Sequence, residues 1–229
     1  MTADARPAHA AAAQSVQGIP KSLFLYAILY GGMVILAGVL GNKQVALGPL
    51  AVEAGIFAFL LLVALSSAVA ELFGQRIAQR LVLWGFIPLL LSMALIALVL
   101  QLPTDAKMEP ARLTAFETIL GTTPRLMIAG IIAYGVSQFL NVTLFTRLRG
   151  REGGTATSIA VRGGIASALS QAVDTLLFVT IAFLGVFPIT TLLLGQMLAK
   201  VVLSLAVIPF VITGLVSLGR RLDRDGPLA

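Results

Sequence analysis

Apolar residues dominate six long stretches of the chain, at about residues 23–40, 52–73, 81–101, 124–148, 159–185 and 188–218. Each is long enough for a helix rising 1.5 Å per residue to cross the ~30 Å hydrocarbon core of a bilayer. Polar segments connect them. Residues 41–48, GNKQVALG, read as a turn at the membrane edge, and residues 73–80, FGQRIAQR, as a short basic loop. Trp84 falls at the start of the third stretch, the usual place for an interfacial aromatic. Pro88 and Pro209 are expected to kink their helices. In the longest connection, residues 102–124, Leu113, Phe116 and Leu120 stand at helical spacing and predict a short helix lying on the membrane surface. Residues 1–20 lack apolar periodicity and read as a disordered cytoplasmic tail, with a second polar tail at 220–229. The predicted fold is an all-α membrane protein, a six-helix transmembrane bundle over residues 21–219.

Three of the stretches repeat one polar pattern. Gln138 is followed by Asn141, Gln171 by Asp174, and Gln196 by Lys200. Helical spacing puts Tyr134, Gln138, Asn141 and Phe145 on one face of the fourth span. Ser167, Gln171, Asp174 and Phe178 share a face of the fifth, and Gln196, Lys200 and Ser204 a face of the sixth. Ser67 and Glu71, four apart, share a face of the second. A lone charge at the bilayer centre costs about 3 kcal/mol on insertion scales, so such groups persist where they face one another or a polar ligand. Counted from Gly185, Pro188 and Pro124, the span ends on one side of the membrane, Asp174, Lys200 and Gln138 lie roughly 16, 18 and 21 Å deep. All three then fall near the midplane, and Asp174 and Lys200 are placed to meet as an ion pair. For one isolated glutamine, bonding between packed helices is the commoner role. Three spans in the same register favour a shared site on the fourth to sixth spans, and for the ion pair both readings stand. Glutamine amides match the paired donors and acceptors of a purine-like edge. Phe145 and Phe178, one turn beyond the polar pairs, are candidates to stack on a flat base. Arg162 is expected to snorkel from the fifth span to the membrane surface.

Composition agrees with a chain almost wholly inside lipid. Hydrophobic residues make up 58% and charged residues 11% of it, with a mean hydropathy of +0.98, where a soluble domain is nearer one-quarter charged. Cysteine is absent and the one histidine is His9, in the N-terminal Ala-rich segment. No thiolate or imidazole metal site, no cysteine nucleophile and no cofactor is expected. The net charge of +6 sits at the ends of apolar stretches, which reports topology rather than nucleic-acid binding. Arg76 and Arg80, then Arg147, Arg149 and Arg151, then Arg220, Arg221 and Arg224 fall on one side, while the connection between the fifth and sixth spans has no Lys or Arg. Positive-inside therefore puts both termini in the cytoplasm. No Walker A sequence is present, so ATP hydrolysis by that route would need separate subunits.

Several runs carry a likeness to a known family. FETILGTTPRLMIAG (residues 116–130), AYGVSQFLNVTLFTRLR (133–149) and SQAVDTLLFVTIAFLG (170–185), with AELFG (70–74) and AKVVLS (199–204), resemble the queuosine-precursor transporters of the vitamin uptake transporter family. The likeness extends from about Tyr26 to Leu218. It implies a bacterial inner-membrane importer of 7-deazaguanine bases, with a fold similar to the substrate-binding subunits of energy-coupling-factor vitamin transporters. With the polar register, the substrate-binding candidates are Ser67, Glu71, Gln138, Asn141, Phe145, Gln171, Asp174, Phe178, Gln196 and Lys200. The family commonly has an acid where this chain has Ser67 and Asn141, so a base with a positive aminomethyl group loses counter-charges there. The expected partners are the lipid bilayer and a small nucleobase-like substrate. A homo-oligomer and ATPase partner subunits are both compatible with the sequence and required by nothing in it. Two other classes are weighed. An intramembrane enzyme would lack a zinc-protease motif and a usable His or Cys, and a non-transporting structural protein would use the same polar residues only for packing.

Overall fold

The computed structural model describes residues 18–47, 50–121, 124–149, 155–186 and 188–226. In chain order these form α1 (Lys21–Leu40), β1 (Gln44–Leu47), β2 (Leu50–Glu53), α2 (Gly55–Phe73), α3 (Gln75–Gln101), α4 (Pro110–Leu120), α5 (Pro124–Arg147), α6 (Ala156–Phe183) and α7 (Thr190–Leu222). Every helix except α4 is long and apolar enough to cross a membrane, six in all among the described residues. The protein is thus the multi-pass, six-helix bundle that the hydrophobic pattern predicts.

Burial sorts the helices. α2 is the axis, with 72% of its span buried against 11% for α3. Its sequence explains this: Ala58, Ala64, Ala68 and Ala70, with Ser66 and Ser67, are small enough to let neighbours approach from all sides. α3 lies at the rim and turns Leu83, Trp84, Leu91 and Leu95 outward, as suits a lipid-facing helix. α6 packs most extensively on α5 and α7. At the end of the bundle where α1 begins, Asp223 accepts hydrogen bonds from the Ser22 amide at 3.0 Å and the Ser22 hydroxyl at 2.7 Å. This places a carboxylate at the positive end of the α1 dipole. One turn further in, Tyr26 Oη donates to the Leu215 carbonyl.

Four local expectations are corrected. Residues 41–48 are not a plain turn: Gln44–Leu47 pairs antiparallel with Leu50–Glu53, with Val45 opposite Val52 and Gln44 opposite Glu53. Four-residue strands are too short to show a periodicity, and β2 merges in sequence with the apolar run of α2. Residues 75–80 are no loop but the first turns of α3. A single residue, Gly74, makes the corner at φ 88°, a region open to glycine without a Cβ penalty. Trp84 consequently sits well along α3, not at its start. α7 also outlasts its predicted end, running to Leu222 before a 3₁₀ turn at Asp223–Asp225. Both α3 and α7 continue through Pro88 and Pro209. Most of the predicted N-terminal tail, residues 1–17, and the last residues of the C-terminal one, 227–229, lie outside the described residues.

The close approach of α1 and α2 depends on Gly55. A Cβ there would lie 2.5 Å from the Ala37 carbonyl oxygen and 3.2 Å from Gly41 Cα, both backbone atoms. Gly55→Ala is expected to lose about 1–3 kcal/mol of stability, the usual cost of overpacking, read as a lower unfolding temperature in detergent. Gly32→Ala, where nothing lies within 4 Å of the added Cβ, should show no such loss. Equal behaviour of the two variants would mean that α1 and α2 do not touch as described.

Candidate functional site

A cavity of about 330 Å³ lies in the half of the bundle away from the start of α1. It is walled by the C-terminal end of α1, the N-terminal halves of α2 and α5, and parts of α3 and α4. Asp174 and Phe178 of α6 and Lys200 of α7 reach it from the other side. The walls are mainly apolar, with Phe59, Leu62, Met93 and Met127 among them. The polar lining is sparse: Asn42, Glu53, Ser92, Tyr134, Asp174 and Lys200. A mostly apolar cavity with a few converging polar groups is the usual form of a small-molecule site.

The predicted ion pair is there. Lys200 Nζ donates to Asp174 Oδ2 at 3.0 Å, and the two side chains are 12% and 7% exposed. Ser137 Oγ donates to the other carboxylate oxygen at 3.2 Å. Tyr134 stands nearby, its hydroxyl donating to Tyr30 Oη at 2.9 Å, and its ring meets Phe86 and Phe59 edge-on, with centroids 5.0 and 6.5 Å away. Glu53 reaches the same cavity from β2, accepting from Gln196 Nε2 at 3.4 Å. Burial raises its carboxyl above the usual carboxylate range; Lys200 and the Gln196 amide pull it back part of the way, and Asp174 adds to the rise.

Of the predicted site residues, Asp174, Lys200 and Phe178 line this cavity and the others do not. Gln138 and Asn141 face the axis helix instead. Asn141 Nδ2 donates to Ser67 Oγ at 3.0 Å and Ser66 Oγ at 3.3 Å, and Ser66 Oγ donates to Gln138 Oε1 at 3.3 Å. This is bonding between packed helices, with Ser67 as one of its partners. Gln171 is fully buried, and its carboxamide has no hydrogen-bond partner among the described residues. Gln196 touches the site only through Glu53. The shared register therefore splits by helix face, neighbouring Ser137 and Gln138 turning to Asp174 and to Ser66 respectively, into an α2–α5 amide cluster and the Asp174–Lys200 pair, and the cavity draws on α1 to α4 as well as on the last three spans.

Glu71 and Phe145 belong to a separate ionic cluster. Arg162 does not snorkel: it is 4% exposed, and its Nη2 lies 2.9 Å from Glu71 Oε2. Its guanidinium also covers one face of the Phe145 ring, 4.6 Å from the centroid, and the ring is fully buried in the core and away from the cavity. Arg149 adds a longer contact to Glu71, at 3.7 Å. Neutralising each other, Glu71 and Arg162 can stay buried where a lone arginine would have to reach for water.

Sequence reasoning did not select Glu53, Asn42, Phe59 or Tyr134 for the site. Tyr134 shares a face with Gln138, which was a usable signal. Glu53 heads an apolar stretch and gives none, because the hairpin that turns it inward is itself hidden.

Residues 53–214 match the family described as "Putative vitamin uptake transporter". Over 144 residues the chain is 31% identical to a Bacillus subtilis (strain 168) protein named "Probable queuosine precursor transporter". That match spans 61% of this chain and 61% of the relative. No solved structure matches the chain.

Proposed function

Because the chain belongs to the vitamin uptake transporter family, we propose that it imports a queuosine precursor, a 7-deazaguanine-type base, across the bacterial inner membrane. The observation that carries this reading is the cavity of about 330 Å³ with the Asp174–Lys200 pair in its wall. A purine-like edge presents N–H donors beside a carbonyl acceptor. Asp174 accepts from the first and Lys200 donates to the second. Phe178, Phe59 and Tyr134 supply aromatic surface for the flat ring. With both termini in the cytoplasm, the cavity lies in the outer half of the bundle, as loading from outside requires. The amide cluster of Gln138 and Asn141 then holds the helices together rather than touching the base.

The test is a thermal-shift and binding series on the purified protein with the nitrile and aminomethyl 7-deazaguanines, queuine, guanine and several vitamins. A 7-deazaguanine should raise the unfolding temperature in a saturable way and the vitamins should not. Stabilisation by a vitamin alone would overturn the reading. Uptake into vesicles holding only this chain separates a solitary carrier from a binding subunit of an ATP-driven, energy-coupling-factor-type transporter, for which such uptake fails.

A further inference from the structure

The charges in the cavity wall do not balance. Its ionisable residues are Glu53 on β2, Tyr134 on α5, Asp174 on α6 and Lys200 on α7, while α3 and the turn after α1 bring only Ser92 and Asn42 as polar side chains. Lys200 is matched by Asp174 at 3.0 Å. Glu53 has no ion-pair partner within 4.0 Å among the described residues, and its bond from Gln196 is long, at 3.4 Å. One carboxylate is thus left over in a largely apolar chamber, where an uncompensated charge is costly. A cationic group on the ligand would remove that cost, and the nearby rings of Phe59, Tyr134 and Phe178 also favour a cation over a neutral group. A neutral ligand must either leave the carboxylate unpaired or bring a proton with it.

We propose that Glu53 is the specificity-determining acid of this cavity, and that the site takes a planar heteroaromatic base carrying a single positively charged amine in preference to its neutral counterpart. The inference rests on the transport reading above. It places the counter-charge on the hairpin strand rather than on the membrane helices, where Ser67 and Asn141 are neutral.

The experiment compares the aminomethyl and nitrile 7-deazaguanines on the full chain in nanodiscs. The wild type should bind the aminomethyl base about 10-fold or more tightly than the nitrile, the size of one charge-assisted contact. Glu53→Gln keeps the side-chain shape and should erase that preference by weakening the aminomethyl base alone, while Glu53→Asp should keep it. An unchanged ratio in a folded Glu53→Gln overturns the proposal. A second readout needs no variant: by calorimetry in buffers of different ionisation enthalpy, the nitrile base should bind with proton uptake and the aminomethyl base without it. Equal uptake for both overturns the proposal too. If neither base binds the wild type, the transport reading itself fails, and the inference falls with it.

Discussion

Glu71→Gln is expected to be the most destabilising single change in the bundle, at about 3–5 kcal/mol, the cost of breaking a buried ion pair from one side. The glutamine fits the same space, so packing is spared. What remains is a guanidinium that is 4% exposed with its carboxylate gone. Arg149 cannot make up the difference, because its side chain is 46% exposed and turns to water at little cost. The measurement is the unfolding temperature of purified protein in detergent. Replacing both partners, as in Glu71→Met with Arg162→Met, should recover most of the loss, since apolar pairs of similar volume often match a buried salt bridge. If Glu71→Gln unfolds like the wild type, the cluster is wetter than its burial indicates.

Asp174→Asn is expected to have the largest effect on ligand handling. A hydrogen bond to a charged group contributes about 1.5–3 kcal/mol, so affinity for a 7-deazaguanine should fall about 10- to 100-fold and uptake should fall with it. The same variant strands Lys200, which is 12% exposed, so some stability goes too. Asp174→Asn with Lys200→Met removes both charges and separates the two effects. A double variant that is as stable as the wild type but does not bind marks the pair as part of the site. One that binds normally shows the pair to be structural and sinks the role given to Asp174. Ser137→Ala, which removes only the 3.2 Å bond to Oδ1, should cost far less than either.

The helical register of the polar residues was legible, and so was the pairing of Asp174 with Lys200, but the partners of the amides and of Arg162 were not. Counting residues to the nearest helix end puts Asp174 and Lys200 at similar depth, and a charge in lipid leaves few alternatives to pairing. The same reasoning sent Gln138 and Asn141 to the site, yet the serines of α2 hold them. Neutral amides can be satisfied by any neighbour with a hydroxyl or carbonyl, so their register alone does not say which. Arg162 was misread because its position in sequence, just inside a span, is where snorkelling arginines occur. Only the arrival of Glu71 from another helix makes its burial tolerable.

Length, hydropathy and charge placement by themselves determined that this chain crosses the membrane as six helices, because lipid demands about 20 apolar residues per span and forbids unpaired backbone. They also placed one acid and one base deep enough to meet. The tertiary structure decided where the cavity lies and what completes it. Glu53, Phe59 and Tyr134 come from three different elements and Asn42 from the turn after α1, and their convergence follows from how helices and hairpin pack. Contacts of that kind join residues far apart in the chain, and no local pattern records them.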